Sequence, residues 1–91
     1  MERFTLKRIR NADEKEKIFI LFGDKKCGFI DRDKNNLCQI NFSVKYENRS
    51  GFRFVKVAKP AFASENDCLE YLNNNSSEIF TCFSLHFFTK I

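Results

Sequence analysis

Apolar and polar residues alternate with a period of two along much of this chain, and that period marks its strands. Phe4 and Leu6 alternate with Thr5 and Lys7, so residues 3–9 read as a strand with a basic outer face. The clearest alternation covers 37–46. There Cys38, Ile40, Phe42, Val44 and Tyr46 fall on one side, with Gln39, Asn41, Ser43 and Lys45 on the other, as in a half-buried antiparallel strand. Glu47 to Gly51 then turns the chain, and 52–58 returns as a strand, which predicts a hairpin with a five-residue loop. Pro60 stops that strand because it lacks a backbone donor. Ile18 to Phe22 is continuously apolar, the pattern of a strand covered on both faces. The connections are polar: 11–17, a turn at Gly23–Lys26 before a brief strand around 28–30, and a second turn at 31–36 whose Asn residues tolerate left-handed backbone.

One segment has a helical period. Ser64 with Asp67 three residues later forms an acidic capping box, and Glu65, Asp67 and Glu70 crowd the positive end of the dipole that follows. Cys68, Leu69, Tyr71 and Leu72 supply one apolar stripe, so 65–73 is a short amphipathic helix that Asn73–Ser77 ends. The tail, 78–91, fits two periods. Phe80, Phe83, Phe87 and Ile91 form a helical stripe, whereas Ile79, Phe83, Leu85 and Phe87 lie mostly on a period-two face. Phe, Thr and Ile favour strands, so the tail is expected to be a strand, and a central one because Phe80, Cys82 and Phe88 occupy its other face. The predicted fold is α+β: a twisted, mainly antiparallel sheet of about five strands with one short helix, about 65–73, packed on one face.

Composition narrows the function classes. At 91 residues one domain is expected, and 43% hydrophobic with 31% charged residues excludes disordered, collagen-like and membrane classes. The longest apolar run has five residues, far short of the ~20 a spanning helix needs. Met1 to Arg10 contains no apolar stretch of signal-peptide type, so a cytoplasmic protein with reduced thiols is expected. Cys27, Cys38, Cys68 and Cys82 form no C-x-x-C pair, which argues against structural zinc and for four small core hydrophobes. No nucleotide or nucleophile motif is present. Asp31, Asp33 and Asn35 begin like a calcium loop, but Asn36 and Phe42 stand where Gly and Glu are required. The single histidine, His86, has no orienting partner near it in sequence. No catalytic residue, metal ligand or cofactor is expected, and the chain reads as non-enzymatic.

Charge is unevenly spread. Residues 1–59 hold 15 basic and 8 acidic residues, net +7; residues 60–91 hold 1 and 4, net −3. Arg3, Lys7, Arg8 and Arg10 cluster near one end, and Arg49, Arg53, Lys56 and Lys59 around the hairpin. Such patches attract phosphate and make binding salt-dependent, which points to a basic sheet, an acidic helix and contact with RNA directly or beside a protein partner. Their alternative is a solvated surface on a mildly basic protein.

Two resemblances bear on the partner. Ser50-Gly51-Phe52-Arg53-Phe54-Val55-Lys56-Val57 resembles the octapeptide of RNA-recognition motifs, agreeing at Gly51, Phe52, Phe54 and Val55, and Ile18-Phe19-Ile20 loosely resembles that family's second motif. The likeness implies base stacking on Phe52, Phe54 and Phe19. Against it, the family places a helix between its first two strands, and 23–36 has no helical period. The competing expectation is two core phenylalanines on a hairpin strand. In size, class and richness in Lys, Asn, Phe and Ile, the chain is similar to anti-CRISPR inhibitors of phages and mobile elements, which block RNA-guided nucleases. That similarity implies a protein or ribonucleoprotein partner, including an RNA-guided nuclease with its guide RNA, and action by occlusion or conformational locking. A free-standing single-stranded RNA-binding domain is the alternative, and a toxin immunity protein a further one.

Overall fold

A computed structural model of the chain describes residues 3–10, 16–57 and 61–88. Among them five strands form one antiparallel sheet in sequence order: β1 (Phe4–Arg10), β2 (Glu16–Phe22), β3 (Lys25–Arg32), β4 (Cys38–Lys45) and β5 (Phe52–Lys56). This is an α+β fold whose sheet is not closed into a barrel, with β1 and β5 at its edges. Each link between β2, β3, β4 and β5 is a short turn that supplies the backbone the pattern called for. Gly23 takes φ 65° between β2 and β3, and Asn36 takes φ 64° between β3 and β4. Asp33 holds the second turn by accepting from the backbone N–H groups of Asn35 and Leu37. The brief strand expected at 28–30 extends to eight residues, because Lys25 and Lys26 pair with β2 across a register shift at Cys27, and Asp31 and Arg32 pair with β4.

The core lies between one face of this sheet and two helices, α1 (Glu65–Asn74) and α2 (Ser76–Cys82). Phe4, Ile20, Ile40 and Phe42 project from the sheet against Cys68, Leu72 and Ile79. Ser64 caps α1 as expected, accepting from the Asp67 N–H at 3.2 Å. Asn73 then ties the helix to the edge strand through both its amide groups, which bond the backbone of Phe4. The fit of β3 to β4 depends on Gly28: a Cβ there would lie 2.1 Å from the Asn41 carbonyl oxygen.

The tail departs from the expected central strand. Residues 76–82 are helical, and only Asn75 separates α2 from α1. Thr81, a poor helix former, satisfies its hydroxyl by donating to the Ser77 carbonyl at 2.8 Å. The helix seats Ile79 in the core and stacks Phe80 on Phe4 at 5.8 Å, a tertiary gain that outweighs strand propensity. From Phe83 onward the period-two pattern does hold. The chain runs extended, with Leu85 bridged to Val44 and Phe88 to Lys26. Phe83 and Leu85 join the core, while His86 and Phe88 meet Phe52 on the other side. The tail thus divides between both of its periods. Pro60 and Lys59 lie outside the described residues.

Candidate functional site

Both helices pack on one face of the sheet, and the strand register defines what the other face carries. One row crosses all five strands: Lys7, Phe19, Phe29, Asn41 and Lys56. Its lysines stand on opposite edge strands, roughly 19 Å apart for four strand spacings. Next to this row Ser43 pairs with Phe54 and Lys45 with Phe52, so β5 turns both phenylalanines and Lys56 to the helix-free face. Arg53 and Val55 alternate with them and point to the helix side, opposite Val44 and Phe42.

Phe52 and Phe54 are therefore not core residues. They are 37% and 47% exposed, the opposite of the hairpin-core expectation. Their positions are nonetheless fixed. The Phe52 ring stacks on His86 at 4.1 Å and 9°, with Phe88 nearly parallel at 5.9 Å. Phe54 stands edge-on to Phe29 at 5.0 Å and to Phe52 at 5.6 Å. The support comes from the tail. His86 N–H donates to the Ser43 carbonyl and Lys45 N–H to the Ser84 carbonyl, each at 2.8 Å, and Lys26 and Phe88 exchange a pair of backbone bonds. The Ser43 hydroxyl, fully buried, reaches the carbonyls of Cys27 and His86. These bonds connect β3, β4 and the tail directly beneath the aromatic cluster.

Phe19 shares the face but is only 8% exposed, with the Lys26 ammonium 5.4 Å from its ring centroid, so it offers no surface for a base to stack on. The octapeptide likeness fails on topology as well. Residues 23–36 form a turn, β3 and most of a second turn, with no helix among them.

The basic residues divide by type. Lys7, Lys45 and Lys56 are exposed on the helix-free face. Arg8 and Arg10 lie on the helix side, tied to carboxylates. Arg8 bonds Glu16 and Glu65, Arg10 stands 3.6 Å from Glu16, and Arg32 also bonds Glu65. Glu65 and then Glu16 hold the Arg8 guanidinium above its ordinary range. Arg8 and Arg10 thus fasten α1 and β2 to the sheet and leave the expected N-terminal patch with Lys7 and the exposed Arg3. Arg49 sits over the Tyr46 ring at 4.1 Å in the hairpin loop, and Arg53 lines a groove on the helix side. Lys59 is outside the described residues. The hairpin cluster predicted from sequence is thereby split between two faces. His86, Phe88 and Phe29 are the site residues that sequence reasoning missed. The period-two alternation of 83–88 was the local signal for His86 and Phe88, and Phe29 lay in the brief strand expected around 28–30.

Three of the four cysteines are buried as expected, and Cys82 is exposed. Burial pushes the Cys27 and Cys68 thiols up to about 12, so neither is a nucleophile at neutral pH. Among the described residues no group of three or more His, Cys, Asp or Glu side chains is placed to hold a metal ion. Among the same residues no helix is long and apolar enough to cross a membrane. Compared with family models, curated proteins and solved structures, the chain shows no significant match.

Proposed function

We propose that this protein is a small non-enzymatic binding protein that docks through the helix-free face of its sheet on a nucleic-acid-processing complex. It inhibits that complex by occluding its nucleic acid or locking its conformation, as anti-CRISPR-type inhibitors do to RNA-guided nucleases. The observation that carries this reading is the Phe52–Phe54 pair, exposed yet held by Phe29, His86 and Phe88. A rigid aromatic cluster gives large contact area at small entropic cost, the makeup of a binding hot spot. Lys7, Lys45 and Lys56 flank it and would steer the domain toward a guide RNA or an acidic surface.

A second reading, a free-standing single-stranded RNA-binding domain, is favoured by Phe54, the most exposed of these rings, beside Lys56 on the same strand. The two readings differ in what the isolated protein binds. A labelled single-stranded RNA titrated at several salt concentrations separates them. A free-standing domain binds the naked strand with a slope of about −0.7 in log affinity against log salt for each phosphate contacted. An inhibitor binds that strand poorly and retains one stoichiometric protein or ribonucleoprotein partner in a pull-down. With no Trp and two Tyr in the chain, co-purified nucleic acid would dominate the ultraviolet spectrum. Full binding of partner and RNA alike by a Phe52→Ala/Phe54→Ala variant would remove the helix-free face from consideration.

A further inference from the structure

A groove of about 620 Å³ lies between the β4–β5 hairpin and the C-terminal end of α2. It is separate from the aromatic cluster, because β5 sends Arg53 and Val55 to this side and Phe52, Phe54 and Lys56 to the other. Val44, Val55 and Phe83 give it an apolar strip within a mainly polar lining, whose charged residues are Glu47, Arg49, Arg53 and Lys45, the last bordering the helix-free face as well. The other arginines on the helix side, Arg8, Arg10 and Arg32, each have a carboxylate partner. Among the described residues Arg49 and Arg53 have none within 4.0 Å. Arg49 is also pre-positioned by its stacking on Tyr46, whose ring in turn closes against Gly51 in the loop, where φ is 103°. A guanidinium set on an aromatic face loses less freedom when it binds than one on a free chain.

We infer that this groove is a binding site for a nucleotide-sized phosphate monoester, with the phosphate on Arg49 and Arg53 and the ring against the apolar strip. Two guanidinium forks bring two positive charges, of which a single carboxylate balances one, whereas a phosphate monoester carries nearly two negative charges. Its three terminal oxygens accept from both forks. The volume falls within the ~300–1,000 Å³ of ordinary small-molecule sites, and the apolar strip favours a ligand with a flat ring over free phosphate.

Cys82 lines the same groove and is exposed, so its thiol reports occupancy. The test is the rate of Cys82 alkylation by uncharged iodoacetamide, followed by mass spectrometry, with adenosine 5′-monophosphate, adenosine or inorganic phosphate as probe. Adenosine monophosphate is expected to protect Cys82 saturably at concentrations where adenosine and inorganic phosphate protect much less. Arg49→Ala/Arg53→Ala should weaken that protection by roughly tenfold or more, the scale of lost hydrogen bonds to a charged group. Phe54→Ala should leave it unchanged, which keeps this site distinct from the proposed docking face. No protection by the nucleotide, protection undiminished in the double variant, or equal protection by inorganic phosphate would each overturn the assignment. Both arginines are exposed, and a circular dichroism melt verifies that the double variant folds.

Discussion

Replacing Phe54 and Phe42 by Ala, one at a time, tests whether the two faces of this sheet do different work. The residues lie on neighbouring strands, Phe54 on β5 and Phe42 on β4, and face opposite ways. Phe42 has no exposure and packs on Phe83 at 5.0 Å within the core. Truncating such a ring loses its full transfer free energy and leaves a cavity, together about 3–5 kcal/mol. For a domain of this size that approaches the whole folding free energy, of order 5–10 kcal/mol. Phe54 is 47% exposed and makes edge contacts with Phe29 and Phe52. Half of a buried phenylalanine's transfer term, together with part of one aromatic pair, gives about 1–1.5 kcal/mol. Urea unfolding followed by far-ultraviolet circular dichroism measures both, and suits a chain with no Trp. Binding should order the variants the other way. Loss of one stacked base costs ~1–3 kcal/mol, a roughly 5- to 150-fold drop in affinity, and Phe54→Ala should show it in a protein that remains folded. Should Phe54→Ala prove as destabilising as Phe42→Ala, the ring would belong to the core and the binding face assigned here would not exist.

Further outcomes follow from the backbone and the buried thiols. Gly28→Ala should cost ~3 kcal/mol or more, the upper end for overpacking, because its Cβ would meet the Asn41 carbonyl oxygen at 2.1 Å and the β3–β4 ladder would have to part. An unchanged urea midpoint in that variant would show the approach to be looser than described. Cys27 and Cys68 keep their protons up to about 12 when folded, against 9.0 for an ordinary thiol, so ionisation favours the unfolded chain as pH rises. Their contribution is fully present below pH 9 and is lost between 9 and 12, and the loss already reached at pH 10 is on the order of 1 kcal/mol per thiol. A Cys27→Ala/Cys68→Ala variant should therefore show a flatter stability profile from pH 9 to 11 than the parent. Lys and Tyr titrate in the same range but are common to both proteins. Identical slopes would contradict the burial argument.

The period-two pattern was enough to place β1 and β4, because alternation along one chain reports directly which side chains share a sheet face, while an unbroken apolar run marked β2. Ser64 and Asp67 likewise announced α1 through a local bond that sequence spacing encodes. Gly23 and Asn36 marked turns for a similar reason, since few residues accept a positive φ. What sequence could not decide was which face of each strand would be covered. Phe52 and Phe42 look equally apolar in a pattern, yet only the register and the side on which α1 and α2 dock bury one and expose the other. The same holds for charge: Arg8 and Lys7 are neighbours in the chain, but Glu65, 57 positions away from Arg8, pairs with Arg8 on the helix side, while Lys7 faces the other way. The tail shows the limit most clearly. Residues 78–91 carry both a helical and a strand period, and no local property chooses between them. Docking of Ile79 and Phe80 on the core made the first part helical, and backbone bonds to Ser43, Lys45 and Lys26 made the next part extended. Those contacts span 39 positions of sequence or more, so the aromatic cluster they assemble exists only in the folded chain.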